Sequence, residues 1–268
     1  MVSVTRELSL CAKKSAHANL QTDRRILGSV RIYDELAHWW PLFSPPIHYV
    51  EEVADILPTL MAAPDAPPRT LLELGCGGGS VAYHLKRHLT LTLTDRSAAM
   101  LAVSRATNPE CEHVQGDMRS LDLGREFDLV MVHDAIAYMT DEVSLRAAFR
   151  TAHRHCRAGG AVVILPDHVA ETFEPHTSHG GEDASDGRGM RYLEWTFDSD
   201  PTDTVCETAF AFLFRHADGT VTSQCERHLF GLFPRASWLA WLTAEGFSSP
   251  ASRIDPWNRD VFVARKRR

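Results

Sequence analysis

Hydrophobic and polar positions divide the chain into short elements of two different periods. Residues 1–30 are polar and mixed and show no clear period. From residue 31 to 60, Ile32, Leu36, Trp39 and Trp40, then Tyr49, Val53, Ile56 and Leu57, recur at helical spacing. That spacing predicts two helices, broken at Ser44, Pro45 and Pro46. Residues 62–69 (AAPDAPPR) read as a linker, because closely spaced prolines cannot continue a helix. Beyond the linker, strand and helix alternate. Strands are expected at 70–74, 89–94, 112–115, 127–132 and 161–165, with helices at 81–88, 97–107 and 141–156 and a turn at 157–160. Such a succession implies βαβ units and a doubly wound, mostly parallel sheet.

After Pro166 the pattern changes. Residues 171–190 are rich in Gly, Asp and Ser and read as a long loop, a lid candidate. Strands at 191–197, 204–214 and 220–230 follow, with Phe210, Phe212 and Phe214 on one face and a hairpin turn at Asp218-Gly219. Pro234 then opens a helix carrying Trp238, Leu239, Trp241 and Leu242, and Gly246 ends it. Two closing strands occupy 247–265. The chain thus divides into an N-terminal helical cap (1–68), an α/β core (69–166), an antiparallel β insertion with a lid (167–233), and a C-terminal helix with the closing strands of the core (234–268).

Composition narrows the class. At 268 residues, 44% hydrophobic and 24% charged, the chain reads as a soluble globular protein with a real core. Its apolar runs fall far short of the ~20 residues of a membrane helix. The N-terminal residues hold no apolar run of a signal peptide. Six cysteines without a CxxC pair read as reduced thiols, so a cytoplasmic protein is expected. A net charge of −7 argues against a nucleic-acid partner. The basic clusters at Lys13, Lys14, Arg24, Arg25 and residues 265–268 lie near the ends and read as solvated tails.

Chemistry concentrates at Leu71-Leu72-Glu73-Leu74-Gly75-Cys76-Gly77-Gly78-Gly79-Ser80. A strand ends there, glycines permit a tight turn with close ligand approach, and a helix start offers unpaired N–H groups. Asp95, twenty residues after Gly75, can accept both ribose hydroxyls of an adenosine-containing ligand. Dinucleotides and S-adenosylmethionine (SAM) share this geometry. The spacing Gly75-x-Gly77-x-Gly79 with Ser80 in place of a further glycine favours SAM. So does Glu73, which would repel a pyrophosphate but can hold a methionine amino group. Asp117, in Gly116-Asp117-Met118 after the third strand, can accept an adenine amino group.

On these residues the sequence resembles the class I SAM-dependent methyltransferases. The matching segments are ELGCGGG (73–79), TDRSAAML (94–101), QGDMR (115–119), EFDLVMVHDAIAYM (126–139) and RAGGAVVI (157–164), in the family's order. The resemblance implies a Rossmann-like, seven-stranded sheet with a reversed last strand. It places Gly75, Cys76 and Gly77 against the methionine part of SAM, Asp95 on the ribose, Arg96 or Met100 beside the adenine, Asp117 and Met118 on its edge, and His133 near the sulfonium. Met100 and Met118 could instead be core, and Arg96 a solvated cap.

Within that family the chain is similar to bacterial N-methyltransferases of amino sugars, through the Tyr33–Ala37 segment YDELA, the SAAM and GDMR segments and the antiparallel excursion. The resemblance makes Tyr33 and Tyr138 the residues facing the transferred methyl, although Tyr138 stands where some sugar enzymes carry histidine. Either tyrosine could be a satisfied core residue. His228 is a possible base or substrate contact, or structural. Trp39 and Trp40 could line an acceptor pocket or pack a helix. No metal is expected, since His176 and His179 alone are a weak ligand set.

The reaction expected is direct in-line transfer to a small-molecule acceptor, amine nitrogen preferred, with solvent or a nearby His or Asp taking the proton. Glu171, Glu174, Glu182 and Asp183 would favour a cationic acceptor if the lid closes over the site. Neither a [DNS]PP[YF] segment nor a Pro-Cys pair supports a nucleic-acid acceptor, and the protein is expected to be a monomer or homodimer. An O-methyltransferase, a nicotinamide-dependent reductase and a non-catalytic SAM-binding protein remain the competing readings.

Overall fold

The computed structural model describes residues 30–268. Cys11, Lys13, Lys14, Arg24 and Arg25 lie outside the described residues. The chain opens with 3-10 turns at Arg31–Tyr33 and Ala37–Trp39, a single helical turn α1 at Trp40–Phe43, another 3-10 turn at Pro46–Tyr49, and helix α2 at Val50–Ala62. The first expected helix is therefore a string of single turns. Proline accounts for this. Pro41 and Pro46 sit at the first positions of new turns, where a missing N–H costs nothing, and each ends what precedes it.

Strands and helices then alternate: β1 (Thr70–Leu74), α3 (Ala82–Leu85), β2 (Thr90–Asp95), α4 (Ala98–Thr107), β3 (Glu112–Gln115), β4 (Phe127–His133), α5 (Glu142–His155) and β5 (Cys156–Leu165). Local capping explains two boundaries. Ser97 accepts from the Met100 N–H at the start of α4, and Asp141 accepts from the Ser144 N–H at the start of α5. The insertion follows as β6 (His176–Gly180), β7 (Gly189–Phe197), β8 (Val205–Arg215) and β9 (Val221–Gly231). The chain closes with α6 (Arg235–Ala244), β10 (Phe247–Ile254) and β11 (Asp260–Lys266).

Two sheets result. The larger runs β10-β11-β5-β4-β1-β2-β3 and is parallel except for β11, which is antiparallel to both neighbours. The smaller is the antiparallel order β6-β7-β8-β9. This is the seven-stranded, doubly wound architecture read from the sequence, with its antiparallel insertion. Among the described residues no helix is long and apolar enough to cross a membrane.

Three local expectations are corrected. The helix expected at 81–88 shrinks to α3. His88 N–H bonds back three residues to Leu85, a tightened final turn that delivers the chain to β2. The turn expected at 157–160 is the irregular start of β5, where Gly159 has φ 74° and the register with β4 shifts. The expected loop at 171–190 contains strand β6, paired along its length with β7. Its sequence HTSHG carries no apolar alternation because β6 is an edge strand with no core face to fill.

Three apolar clusters hold these layers. Phe149 of α5 and Trp238 and Leu242 of α6 pack one face of the large sheet, and Ile56, Leu60, Leu85 and Leu101 pack the other. The third cluster decides where the site forms. Ile32, Trp39 and Leu42 of the N-terminal turns pack onto Met190, Phe210, Phe212 and Phe214 of the small sheet. The Trp39 and Phe214 rings lie 4.9 Å apart. Each such buried side chain contributes about 1.5–3 kcal/mol. The N-terminal turns and the insertion therefore act as one unit beside the glycine loop.

Candidate active site

A cavity of about 840 Å³ lies between the carboxyl ends of β1, β4 and β5, the N-terminal turns and the small sheet. In open α/β sheets, ligands bind at this edge. Its floor is the glycine loop after β1. Gly75 and Gly77 adopt φ of 78° and 54°, a region that other residues rarely enter. A Cβ on Gly75 would sit 2.5 Å from Ala135 Cβ, and one on Gly78 would sit 2.2 Å from Trp40 Cδ1. Backbone N–H groups of Gly75 and Cys76 both donate to Thr94 O at 2.8 Å, tying the loop to β2. Ser80, in the place of a third fingerprint glycine, donates its hydroxyl to Ser44 O at 2.6 Å and joins the loop to the N-terminal turns.

Asp95 ends β2 with each carboxylate oxygen oriented by a backbone donor: Gly77 N–H at 2.9 Å and Ser97 N–H at 2.8 Å. Each oxygen keeps a further lone pair for a ligand hydroxyl. Burial raises its pKa, and those two bonds oppose the rise. Glu73 is 2% exposed, lines the cavity, and has a buried Oε2 with no partner. Burial lifts its pKa to about 7, against the pull of His133. A buried carboxyl so placed suits a cationic amino group, whose charge would draw it to the ionised form.

Asp117, Met118, Arg96 and Cys76 also line the cavity. Asp117 is held by Arg119, whose Nη2 donates at 2.6 Å, and that hydrogen bond lowers its pKa. Met100 and Gly79 differ from the sequence reading. Met100 is fully buried and lies behind Gly77, and Gly79 faces Ser104 and Asn108; neither lines the cavity. Met100 takes the core role that the sequence left as its alternative, buried in α4.

Tyr33 and Tyr138, far apart in sequence, meet on the opposite wall. Tyr138 donates its hydroxyl to that of Tyr33 at 2.8 Å, and the rings form an edge-to-face pair. With its one proton so used, the Tyr138 oxygen accepts from Nδ1–H of His228, 2.7 Å away on β9. The other ring nitrogen of His228 stands 3.3 Å from Glu226. The Tyr33 hydroxyl proton is left to face the cavity. Burial raises the pKa of both phenols, so they act there as neutral groups.

His133 lines the cavity but is engaged behind it. It is 8% exposed, bonds to Glu52 through Nε2, and stands 3.3 Å from Asp134 through Nδ1. Burial alone would lower its pKa, but Asp134 and Glu52 outweigh that and hold it at about 9. Glu52 is correspondingly held at about 2, despite burial, by His133 and by Arg259, whose Nη2 lies 2.9 Å away. His133 is thus an imidazolium at neutral pH.

The two tryptophans divide between their readings. Trp39 is core, whereas Trp40 lines the cavity over the glycine loop, with a buried Nε1 that has no partner. The acidic lid set also divides. Glu174 lines the cavity; Glu171 accepts from the Arg235 N–H at the start of α6, Glu182 meets His48, and Asp183 pairs with Arg191 and Arg215. Residue-by-residue reading missed the cavity carboxylates Asp134, Asp167 and Glu194. The available signal for the first two was their position directly beyond β4 and β5. Among the described residues no group of three or more His, Cys, Asp or Glu is arranged to hold a metal.

The glycine cradle, the doubly oriented Asp95 and the orphaned Glu73 oxygen fit SAM by size, ribose and amino group. Residues 71–160 match the family described as the methyltransferase domain. The protein is a SAM-dependent methyltransferase. Its sequence is similar to the dTDP-3-amino-3,6-dideoxy-alpha-D-glucopyranose N,N-dimethyltransferase of Streptomyces fradiae, 29% identical over 80% of this chain and 84% of that enzyme. Its fold is similar to DesVI of Streptomyces venezuelae, at a TM-score of 0.76 and 25% identity over 86% of this chain and 98% of that one. It is also similar to SAM-bound CalS10, an amino pentose methyltransferase from Micromonospora echinaspora, at a TM-score of 0.68 and 26% identity, covering 81% and 91% of the two chains.

Proposed function

We propose that this enzyme transfers the methyl group of SAM to the amine nitrogen of a small amino sugar by direct in-line displacement. The observation that carries the reading is the wall opposite the glycine loop. There the Tyr33 hydroxyl, oriented through Tyr138 and His228, shares the cavity with the carboxylates Asp167, Glu174 and Glu194. Hydroxyl donors suit a polyhydroxylated ring, and carboxylates suit a protonated amine. The kinship with amino-sugar enzymes supports the same class of acceptor. SAM supplies an activated methyl on a sulfonium leaving group, so the protein's task is orientation and desolvation.

In this reading Gly75, Cys76 and Gly77 hold the methionine portion, Glu73 its amino group, Asp95 the ribose, and Asp117, Met118 and Arg96 the adenine. Tyr33 and Tyr138 shape the transfer site and His228 orients Tyr138. Residues 69–166 form the cofactor core, closed by 234–268, while residues 30–68 and the insertion 167–233 form the acceptor side. A cytoplasmic monomer or homodimer with no nucleic-acid partner completes the proposal.

The test is to incubate the purified protein with SAM and a panel of amino-deoxyglucose glycosides and their hydroxyl counterparts, with products resolved by mass spectrometry. Mono- or dimethylated amine with no methylation of the hydroxyl counterparts is expected. Methylation at oxygen, or none of any sugar, overturns the reading.

A further inference from the structure

Two carboxyl groups at the transfer end of the cavity have no part in the cofactor site. Asp134 immediately follows β4 and Asp167 lies two residues beyond β5; both line the cavity with Tyr33 and Tyr138. Asp134 has φ 49°, a conformation that costs a non-glycine residue on the order of 1–3 kcal/mol. Its N–H donates to Leu165 O at 2.8 Å, which pins the end of β4 to the end of β5. Because His133 and Leu165 are paired at the ends of these strands, the two carboxyls leave the sheet side by side into the same cavity, within hydrogen-bonding reach of one another. Repulsion between two carboxylates that close favours one shared proton and a single negative charge on the pair.

The surroundings fix that charge. His133 and Arg259 face the pair from the β4 end and the β10–β11 connection, with Arg259 Nη1 3.8 Å from Asp134 Oδ1. Glu52 of α2 stands behind them and neutralises part of their charge. Glu194 of β7 and the phenols of Tyr33, Tyr49 and Tyr138 complete the ring of titratable neighbours. Burial raises both carboxyl pKa values, Asp167 well above the usual carboxylate range. Asp134 Oδ1 is itself buried without a hydrogen-bond partner, an acceptor position left for a cationic ligand.

We propose that the Asp134–Asp167 pair is the proton acceptor of the methyl transfer: it binds the acceptor's ammonium group and takes its proton. The inference rests on the amine reading above. An amine that arrives protonated has no lone pair to attack with. In the first step one N–H bond of the ammonium breaks, an O–H bond forms on Asp167, and nitrogen keeps the electron pair. In the second, that pair forms the N–CH3 bond as the carbon–sulfur bond breaks, and sulfur keeps the pair of that bond. The product is an N-methylammonium and a neutral thioether. One proton passes to water in each turnover, which returns the pair to its singly charged state. The same pair can deprotonate the N-methylammonium for a second transfer.

The test compares the wild type with Asp167→Asn on an amino-deoxyglucose methyl glycoside and on its aminooxy analogue, whose nitrogen is unprotonated at neutral pH. Calorimetry with S-adenosylhomocysteine first confirms that the variant keeps a wild-type cofactor site. On the basic amine, Asp167→Asn should lower kcat on the order of 100-fold, the scale of a lost general base. It should also move the acidic limb of the kcat/KM profile up to the amine's own pKa, since only unprotonated substrate can then react. On the aminooxy analogue both enzymes should turn over comparably, and Asp167→Glu should restore part of kcat on the amine. Should the variant not fold, the wild type alone decides, since its acidic limb with the amine should lie below the amine's own pKa and be absent with the analogue; a limb at the amine's pKa overturns the proposal. A variant with wild-type kcat and an unchanged acidic limb, or a loss confined to KM, overturns the proposal. A wild type that methylates neither nitrogen overturns the amine reading itself, and this proposal with it.

Discussion

The two walls of the one cavity are built in different ways. The cofactor wall is made chiefly of backbone: N–H groups of a loop that only glycine can form, plus one carboxylate oriented by the loop's Gly77 N–H and by the Ser97 N–H at the start of α4. The acceptor wall is made of side chains from distant elements, with Tyr33 from the N-terminal turns, Tyr138 from the segment after β4, and His228 from β9. A backbone wall is local and tolerates little change. A side-chain wall is assembled only by the fold, and can be remade without disturbing the sheet. The difference implies separable failures: damage to one wall should abolish cofactor binding, and damage to the other should spare it.

The sharpest break is at Asp95. With Asp95 on the ribose as proposed, Asp95→Ala would remove its bonds to the ribose hydroxyls and release the Gly77 and Ser97 N–H groups that the carboxylate organises. Hydrogen bonds to charged groups contribute about 1.5–3 kcal/mol each. The affinity for SAM should therefore fall on the order of 100-fold or more. Calorimetry reading wild-type affinity would remove Asp95 from the site.

Tyr138→Phe should break the other wall alone. The change leaves the ring packing but strands the Tyr33 oxygen and His228 Nδ1 in a desolvated site. A stranded buried group costs about 1–3 kcal/mol, so kcat should fall roughly 10-fold while the dissociation constant for SAM stays put. If both constants move together, the two walls are not separable.

A smaller effect joins the walls from behind. The Glu52–His133–Arg259 group packs α2 against the end of β4 and the C-terminal strands. The folded pKa of His133, about 9, is above its ordinary 6.5, so its stabilisation is complete below pH 6.5 and is lost as pH rises through 9. Glu52, held at about 2, contributes above its ordinary 4.5 and loses its share only as pH falls towards 2. The melting temperature should therefore fall between pH 6.5 and 9, by about 2–4 °C per kcal/mol lost. His133→Gln should flatten that decline; parallel curves would mean that the ion group stabilises nothing.

The contrast between the walls also explains how much was legible in the sequence. The glycine loop and Asp95 lie within or just after apolar strands, so their spacing drew attention, whereas Asp117 follows the short and largely polar β3. Trp40 and Trp39 are adjacent and chemically alike, yet one lines the cavity and one is core, because only the packing of the N-terminal turns on the small sheet distinguishes them. Strand β6 was unreadable because an edge strand of polar residues leaves no alternation. Asp134 and Asp167 flank long apolar strands and look like ordinary loop starts. Their significance is that β4 and β5 end side by side, and pairing is a property of the fold.

The finest division lies within the acidic segment after β5. The sequence suggested that Glu171, Glu174, Glu182 and Asp183 act together on a cationic acceptor, but the structure gives them different partners. Asp183 is balanced by Arg191 and Arg215 and Glu182 faces His48, so neither charge is available to the cavity. Glu171 caps α6, and its loss should register in stability. Glu174 alone of the four lines the cavity. Glu174→Gln should raise the acceptor KM by a few-fold, the worth of one partly screened charge of about 0.5–1 kcal/mol. Glu182→Gln and Asp183→Asn together should leave KM and kcat unchanged. Equal rises in KM from all three substitutions would mean that the segment acts on the acceptor through its summed charge, and that the partners seen in the structure do not shield it.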